Sequence, residues 1–137
     1  MIPETSSALA AAALYAGLNG LILLGLSVHV IRVRVREKVY MGDAGNPAMI
    51  RAVRGHANFT EHVPLALILI ILAAFLGAPA WAVHLLGAAL TVGRLLHAAH
   101  FVQADAPAWQ RGGGMALTYL VLLLGGLGVA AHALTQL

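Results

Sequence analysis

Four long apolar segments separated by short polar loops predict an all-α integral membrane protein, a four-transmembrane-helix bundle. Composition agrees. Of the 137 residues, 61% are hydrophobic and 9% charged, with a mean hydropathy of +0.87, whereas soluble domains carry about 25% charged residues. The third observation is the placement of the few charges, which gather at segment ends. A single domain over residues 1–137 is expected at this length. The net charge of +3 and pI near 10.0 come from basic residues beside apolar segments, with no aromatic-rich basic surface. They therefore report membrane topology and not nucleic-acid binding. Cysteine is absent, which excludes a disulfide framework, a thiolate metal site and a cysteine nucleophile. Any thiol chemistry must be brought by a second molecule.

The first helix is expected over about residues 8–38. Leu9 to Ile31 is an uncharged run of about 23 residues, enough to cross a ~30 Å hydrocarbon core. It is too long, and too poor in N-terminal positive charge, for a cleaved signal peptide. Ala12, Ala16 and Gly20 recur every four residues as a small-residue packing face. Asn19, deep in the span, is read as an interhelical hydrogen-bonding group, with a ligand contact as the alternative. After the basic run Arg32 to Lys38, the stretch Met41 to Pro47 carries turn chemistry.

The second helix, about 48–76, spans about 43 Å at 1.5 Å per residue, more than the hydrocarbon core. Its first turns, with Arg51 and Arg54, therefore reach headgroup level. Pro64 removes one backbone donor just beyond the polar stripe. Gly77 to Ala80 is a turn short enough to force antiparallel neighbours, and the third helix is expected over 80–102. A polar loop, Gln103 to Gly114, precedes the fourth, about 113–135, where Gly125, Gly126 and Gly128 suggest a second close-packing face. Basic residues concentrate in the first loop, with Arg111 in the third and none in the second. The positive-inside rule then places the first and third loops in the cytoplasm and both termini outside.

The stretch Arg51 to Pro64 carries the chemistry. At ~100° per residue Arg51, Arg54, Asn58, Glu61 and His62 share an arc of roughly 100°, while His56 points elsewhere. Arg94, His97 and Phe101 share a face on the third helix, with Arg94 about 10 Å from its cytoplasmic end. Arg34 ends helix one and Arg111 precedes helix four at the same level. All four helices thus bring polar groups to one end, as a single cytoplasm-facing pocket would require. Five arginines face one acid, Glu61. Guanidinium groups suit bidentate carboxylate or phosphate binding, so an anionic ligand with several carboxylates and one ammonium fits the surplus.

Other readings of the same residues remain at this level. Arg32, Arg36 and Lys38 are read as topology determinants, and Arg51 as a residue able to snorkel. Arg94 and Glu61 could form a purely structural ion pair. Membrane-embedded Glu61, His62 and His97 could carry protons in a small transporter. His97 and His100 are spaced i, i+3, but no other helix offers a clear pair of ligands, so no metal site is assigned. His84 and His132 read as interface or packing residues.

Arg54-x-x-x-Asn58-x-x-Glu61-His62-x-Pro64 entering an apolar run resembles the second-helix signature of the MAPEG family, the membrane-associated proteins in eicosanoid and glutathione metabolism. Gly93-Arg94-Leu95-Leu96-His97 is similar to that family's third-helix motif, and Arg111 before Gly112-Gly113-Gly114 to the arginine opening its fourth helix. Tyr40-x-Gly42-Asp43-x-Gly45 looks closest to the small bacterial inner-membrane, YecN-like branch. The resemblance spans nearly the whole chain. It implies a homotrimer that binds glutathione between subunits near the cytoplasmic face, and conjugates or reduces lipophilic electrophiles there. Carried over by position, it implies that Arg54, Asn58 and Glu61 hold the glutathione peptide. Arg34 and Arg51 would be further carboxylate partners, and His62, Arg94 and His97 would complete the glutathione site. Arg111 would be the catalytic arginine that stabilises the thiolate. The implied co-substrate is glutathione, and the partners are a hydrophobic small molecule and membrane lipid. The expected location is a bacterial inner membrane. His62, His97 and Phe101 stand where several eicosanoid-type members have tyrosines. A non-catalytic glutathione- or lipid-binding membrane protein is the alternative to an enzyme.

Overall fold

The computed structural model describes residues 4–137. Met1, Ile2 and Pro3 lie outside them. Four helices follow in chain order: α1 Glu4–Glu37, α2 Pro47–Phe75, α3 Ala80–Val102 and α4 Ala108–Leu134. Each holds a stretch long and apolar enough to cross a membrane. α2 and α3 pack against each other and against both remaining helices, whereas α1 and α4 flank them without touching. The α1–α2 and α3–α4 loops share one end of the bundle, termed the polar end below. The α2–α3 turn and the C-terminus share the other.

Local chemistry explains the helix starts. Asn46 caps α2, its side chain accepting from the Met49 amide at 3.0 Å, and Pro47 follows with its backbone angle already helical. α4 begins at Ala108, about five residues before the expected start, so Arg111 lies in its first turn and not ahead of it. Pro107 sets the entry, and three successive glycines do not break the helix because one of them is needed there. A Cβ on Gly114 would stand 2.5 Å from the Gly93 carbonyl oxygen and 2.9 Å from the His97 Cβ. One on Gly93 would stand 2.9 Å from the Gly114 oxygen. The α3 and α4 backbones meet at this pair of glycines, which is what brings Arg94 and His97 against α4.

The apolar core follows one face of α2, where Phe59, Val63, Ala66, Ile70 and Ala74 recur at three- and four-residue steps against Val83 and Leu90 of α3 and Val121 of α4. The small-residue faces behave differently from expectation. Ala12 is buried, but Gly20 has nothing near it, and α1 turns Ala8, Ala11, Asn19 and Leu26 inward instead. Gly125 packs against Leu69, while Gly126 and Gly128 face open space. Glycine spacing reports where close approach is permitted, not which approach the rest of the face selects. Asn19 makes the expected interhelical bond, donating to Thr91 Oγ1 at 2.9 Å. His56 points away from the stripe, to Ser27 of α1. Nearer the other end, the Tyr15 hydroxyl meets the His84 ring at 3.1 Å.

Two arginines hold the loops of the polar end. Arg34 donates to the carbonyls of Val39 at 3.2 Å and Gly42 at 2.8 Å, closing the α1–α2 loop. Arg51 donates to the carbonyls of His100 and Gln103 at the end of α3, with its guanidinium 5.5 Å from the Phe101 ring centre. These carbonyls are among the acceptors that a helix C-terminus leaves unpaired. Phe101 in turn lies so close over α2 that a Cβ on Gly55 would stand 2.6 Å from it.

Two outcomes follow for stability in detergent. Gly114→Val should cost about 3 kcal/mol or more, at or beyond the upper end for overpacking, because backbone atoms stand in the way. Gly126→Ala should be neutral or gain up to ~1 kcal/mol from helix propensity. Thermal unfolding compares them, and equal midpoints would refute the close approach. Arg51→Ala should cost about 1–3 kcal/mol, since it strips a charged donor from two carbonyls. Hydrogen exchange should then rise at residues 99–106, and unchanged protection there would show that the carbonyls do not depend on Arg51.

Candidate functional site

Arg94 is the centre of the polar end. It is completely buried, about 12 Å along α3 from its end at Val102 by helical rise. Its Nη2 donates to Asn58 Oδ1 on α2 at 3.0 Å and to His97 Nδ1 one turn on at 3.1 Å. Its Nη1 lies 3.5 Å from Thr118 Oγ1 and 3.6 Å from the Met115 sulfur, both on α4. The Phe59 ring centre is 5.3 Å from the guanidinium carbon, a cation–π contact. Nε has no partner. Three helices thus meet at one guanidinium.

The Arg94–Glu61 pair considered from the sequence does not form. Glu61 is exposed, and the one ion pair among the described residues is Arg36 with Glu37 at 2.7 Å. The physical reason lies in the α2 register. Phe59 is buried and Asn58 half-buried on the side facing α3, while Glu61 lies about 60° beyond Asn58 and about 160° from Phe59 at ~100° per residue, which carries it past the edge of that contact. A buried cation without an acid partner is costly, so it is held by hydrogen bonds and an aromatic face instead.

The sequence-predicted residues fall into four groups. Arg94, Asn58 and His97 are in mutual contact through Arg94. His62 lies on the next turn of α2, its Nδ1 bonded to the Asn58 carbonyl at 2.9 Å and its ring 5.7 Å from that of Tyr119. Arg54 and Arg111 are exposed near the same end, Glu61 is exposed at mid-helix, and none of the three makes a side-chain hydrogen bond or ion pair among the described residues. Arg34 and Arg51 spend donors on the loop carbonyls described above. Phe101 stacks on His97 at 4.8 Å between ring centres, as their shared face requires. His100 turns away from His97 to Pro107, its Nδ1 3.2 Å from the carbonyl oxygen, and no group of three or more His, Asp or Glu side chains gathers among the described residues.

Sequence reasoning missed Phe59, Met115, Thr118 and Tyr119. A signal for two of them existed: Thr118 and Tyr119 are the only hydroxyls in the otherwise apolar run from Gly112 to Ala131. Met115 and Phe59 carry no such mark, being ordinary apolar residues in apolar helices. A cleft of about 360 Å³ lies at the opposite end, between Ala73, Pro79, Leu86, Gly125 and His132, and includes none of the predicted site residues.

Chemically, the polar end is rich in donors. One buried and two exposed guanidinium groups, with Asn58 and two histidines, can hold an anion through charge-assisted hydrogen bonds. The chain supplies no nucleophilic thiol of its own.

Residues 12–131 match the MAPEG family. Over 112 residues the chain is 38% identical to "Inner membrane protein YecN" of Escherichia coli strain K12, covering 82% of this chain and 84% of that protein. The protein of the same name from E. coli O6:H1 matches to the same extent. A four-helix membrane-type fold, the ordered arginine and asparagine motifs on α2, α3 and α4, and these two likenesses agree: the chain belongs to the MAPEG family.

Proposed function

We propose that this protein binds glutathione at the polar end and delivers its thiolate to lipophilic electrophiles dissolved in the membrane. The observation that carries this reading is the convergence of Arg94, Asn58 and His97, with Arg54 and Glu61 exposed on α2 and Arg111 exposed on α4, in a chain that has no cysteine. The guanidinium surplus suits two carboxylates, Glu61 suits an ammonium, and glutathione has both. An inner-membrane relative supports a bacterial inner-membrane setting, and in this reading the polar end lies on the cytoplasmic side, where basic loops are retained.

A second copy of the chain completes the site in this reading, and the assembly is a homotrimer. Glu61 lies about 21 Å along α2 from Pro47 by helical rise, yet is exposed. A carboxylate facing hydrocarbon at that depth costs a few kcal/mol, which a neighbouring subunit or a bound ligand would relieve.

Arg111 serves catalysis by lowering the thiol pKa. A free thiol titrates near 8.5 and reacts as thiolate. Lowering the pKa by one unit, worth about 1.4 kcal/mol, raises the thiolate fraction at pH 7 from ~3% to ~24%. Calorimetry of the detergent-purified protein with glutathione is the primary test, and no heat at millimolar ligand would end this reading. Arg111→Ala should lower turnover about eightfold at pH 7 with little change in glutathione affinity, and should move the rise of rate with pH upward by about one unit. Turnover and affinity falling together would assign Arg111 to binding alone. Glu61→Gln should weaken glutathione more than a des-amino analogue. Equal losses for both ligands would sink the ammonium role.

A further inference from the structure

We infer that Arg94 is a positioning residue that sets the hydrogen-bond polarity of the site: it forces Asn58 and His97 to present donors to a ligand oxygen without touching the ligand itself. The inference rests on the glutathione reading only for the identity of that ligand.

The reasoning is one of donor and acceptor inventory. A guanidinium has five N–H donors and no acceptor. Whatever faces it must therefore accept. Asn58 turns Oδ1 toward Nη2 at 3.0 Å, so its amide NH2 points the other way, and no protein acceptor takes it among the described residues. His97 turns Nδ1 toward the same nitrogen at 3.1 Å, so Nδ1 holds a lone pair and the ring proton sits on Nε2, again without a protein acceptor. Thr118 completes the pattern. Its hydroxyl proton is given to the Gly114 carbonyl at 2.8 Å, which leaves a lone pair for Nη1 at 3.5 Å. An amide and an imidazole can each present either polarity. Facing Arg94, both are fixed.

Complete burial makes this setting durable, since it keeps bulk water from the guanidinium, and among the described residues no carboxylate neutralises it. The recognised group is an acceptor oxygen, carboxylate or peptide carbonyl. His62 is the internal contrast. Its Nδ1 faces a backbone carbonyl at 2.9 Å and must carry the proton, so in neutral form its Nε2 is a lone pair. Two histidines near one site are thus held in opposite tautomers by different neighbours.

Nitrogen NMR of histidine-labelled, detergent-solubilised protein without ligand reads the tautomers directly, with His62→Gln and His97→Gln variants for assignment. His97 should carry its proton on Nε2 and His62 on Nδ1. Arg94→Lys, a donors-only replacement, should keep the His97 tautomer. Arg94→Gln, whose amide can turn its oxygen inward, should shift His97 toward Nδ1–H while leaving His62 unchanged. A His97 with Nδ1–H in the unmodified protein, or a tautomer indifferent to Arg94→Gln, overturns the inference. Glutathione affinity provides the second arm: a loss of tenfold or more in Arg94→Gln, and less than about threefold in Arg94→Lys. Equal losses in the two variants would assign Arg94 to guanidinium geometry and not to donor polarity. Should Arg94→Gln fail to fold, the tautomers of the unmodified and Arg94→Lys proteins still decide the matter. Absence of glutathione binding by the unmodified protein would defeat the proposed function and leave the tautomer result standing.

Discussion

A guanidinium buried without a carboxylate is the constraint around which this bundle is arranged. Arg94 has to be given acceptors by its neighbours, and it draws them from three helices: Asn58 from α2, His97 from its own, Thr118 and Met115 from α4. That is possible only because Gly93 and Gly114 let the α3 and α4 backbones touch at the same level. Were either glycine to carry a side chain, the helices would separate and Thr118, already at 3.5 Å, would move out of reach. Packing and polarity are thus one problem here.

The arginines that looked alike as a surplus of charge do different things. Arg34 and Arg51 satisfy carbonyls and fix the loops. Arg94 organises the interior. Arg54 and Arg111 remain on the surface with Glu61. This division comes from where each residue stands relative to a helix end. Arg34 and Arg51 have the carbonyls of a loop and of the α3 C-terminus within reach of their long side chains, and Arg94, in mid-helix facing its neighbours, does not.

Much of the fold was legible in the sequence because apolar length and loop composition obey strong rules in a bilayer. The four spans, the tight α2–α3 turn and the shared face of Arg94, His97 and Phe101 all follow from counting. Three things did not. The α4 start was hidden because three glycines look like a loop, and only the α3 contact explains why they stay helical. The partner of Arg94 was left open because charge alone offered Glu61, whereas a rotation of less than one turn decides for Asn58. The Ala12–Ala16–Gly20 face was overread because small residues mark several possible contacts, and Asn19 with Thr91 selects another. In each case the missing quantity was the azimuth of one helix relative to its neighbour, which spacing alone leaves free.

The position of Arg94 has a consequence for how the chain enters the membrane. α3 is the least apolar of the four spans, and a mid-helix arginine adds about 2.5–3.5 kcal/mol to the cost of inserting it alone. Two of the groups that offset this cost, Asn58 and Phe59, belong to the helix synthesised just before, and the short turn at Leu76–Pro79 keeps them adjacent. Thr118 and Met115 arrive only with the next helix. Biogenesis is therefore best served when α2 and α3 partition as a hairpin, with α4 closing over a guanidinium that already has half of its neighbours.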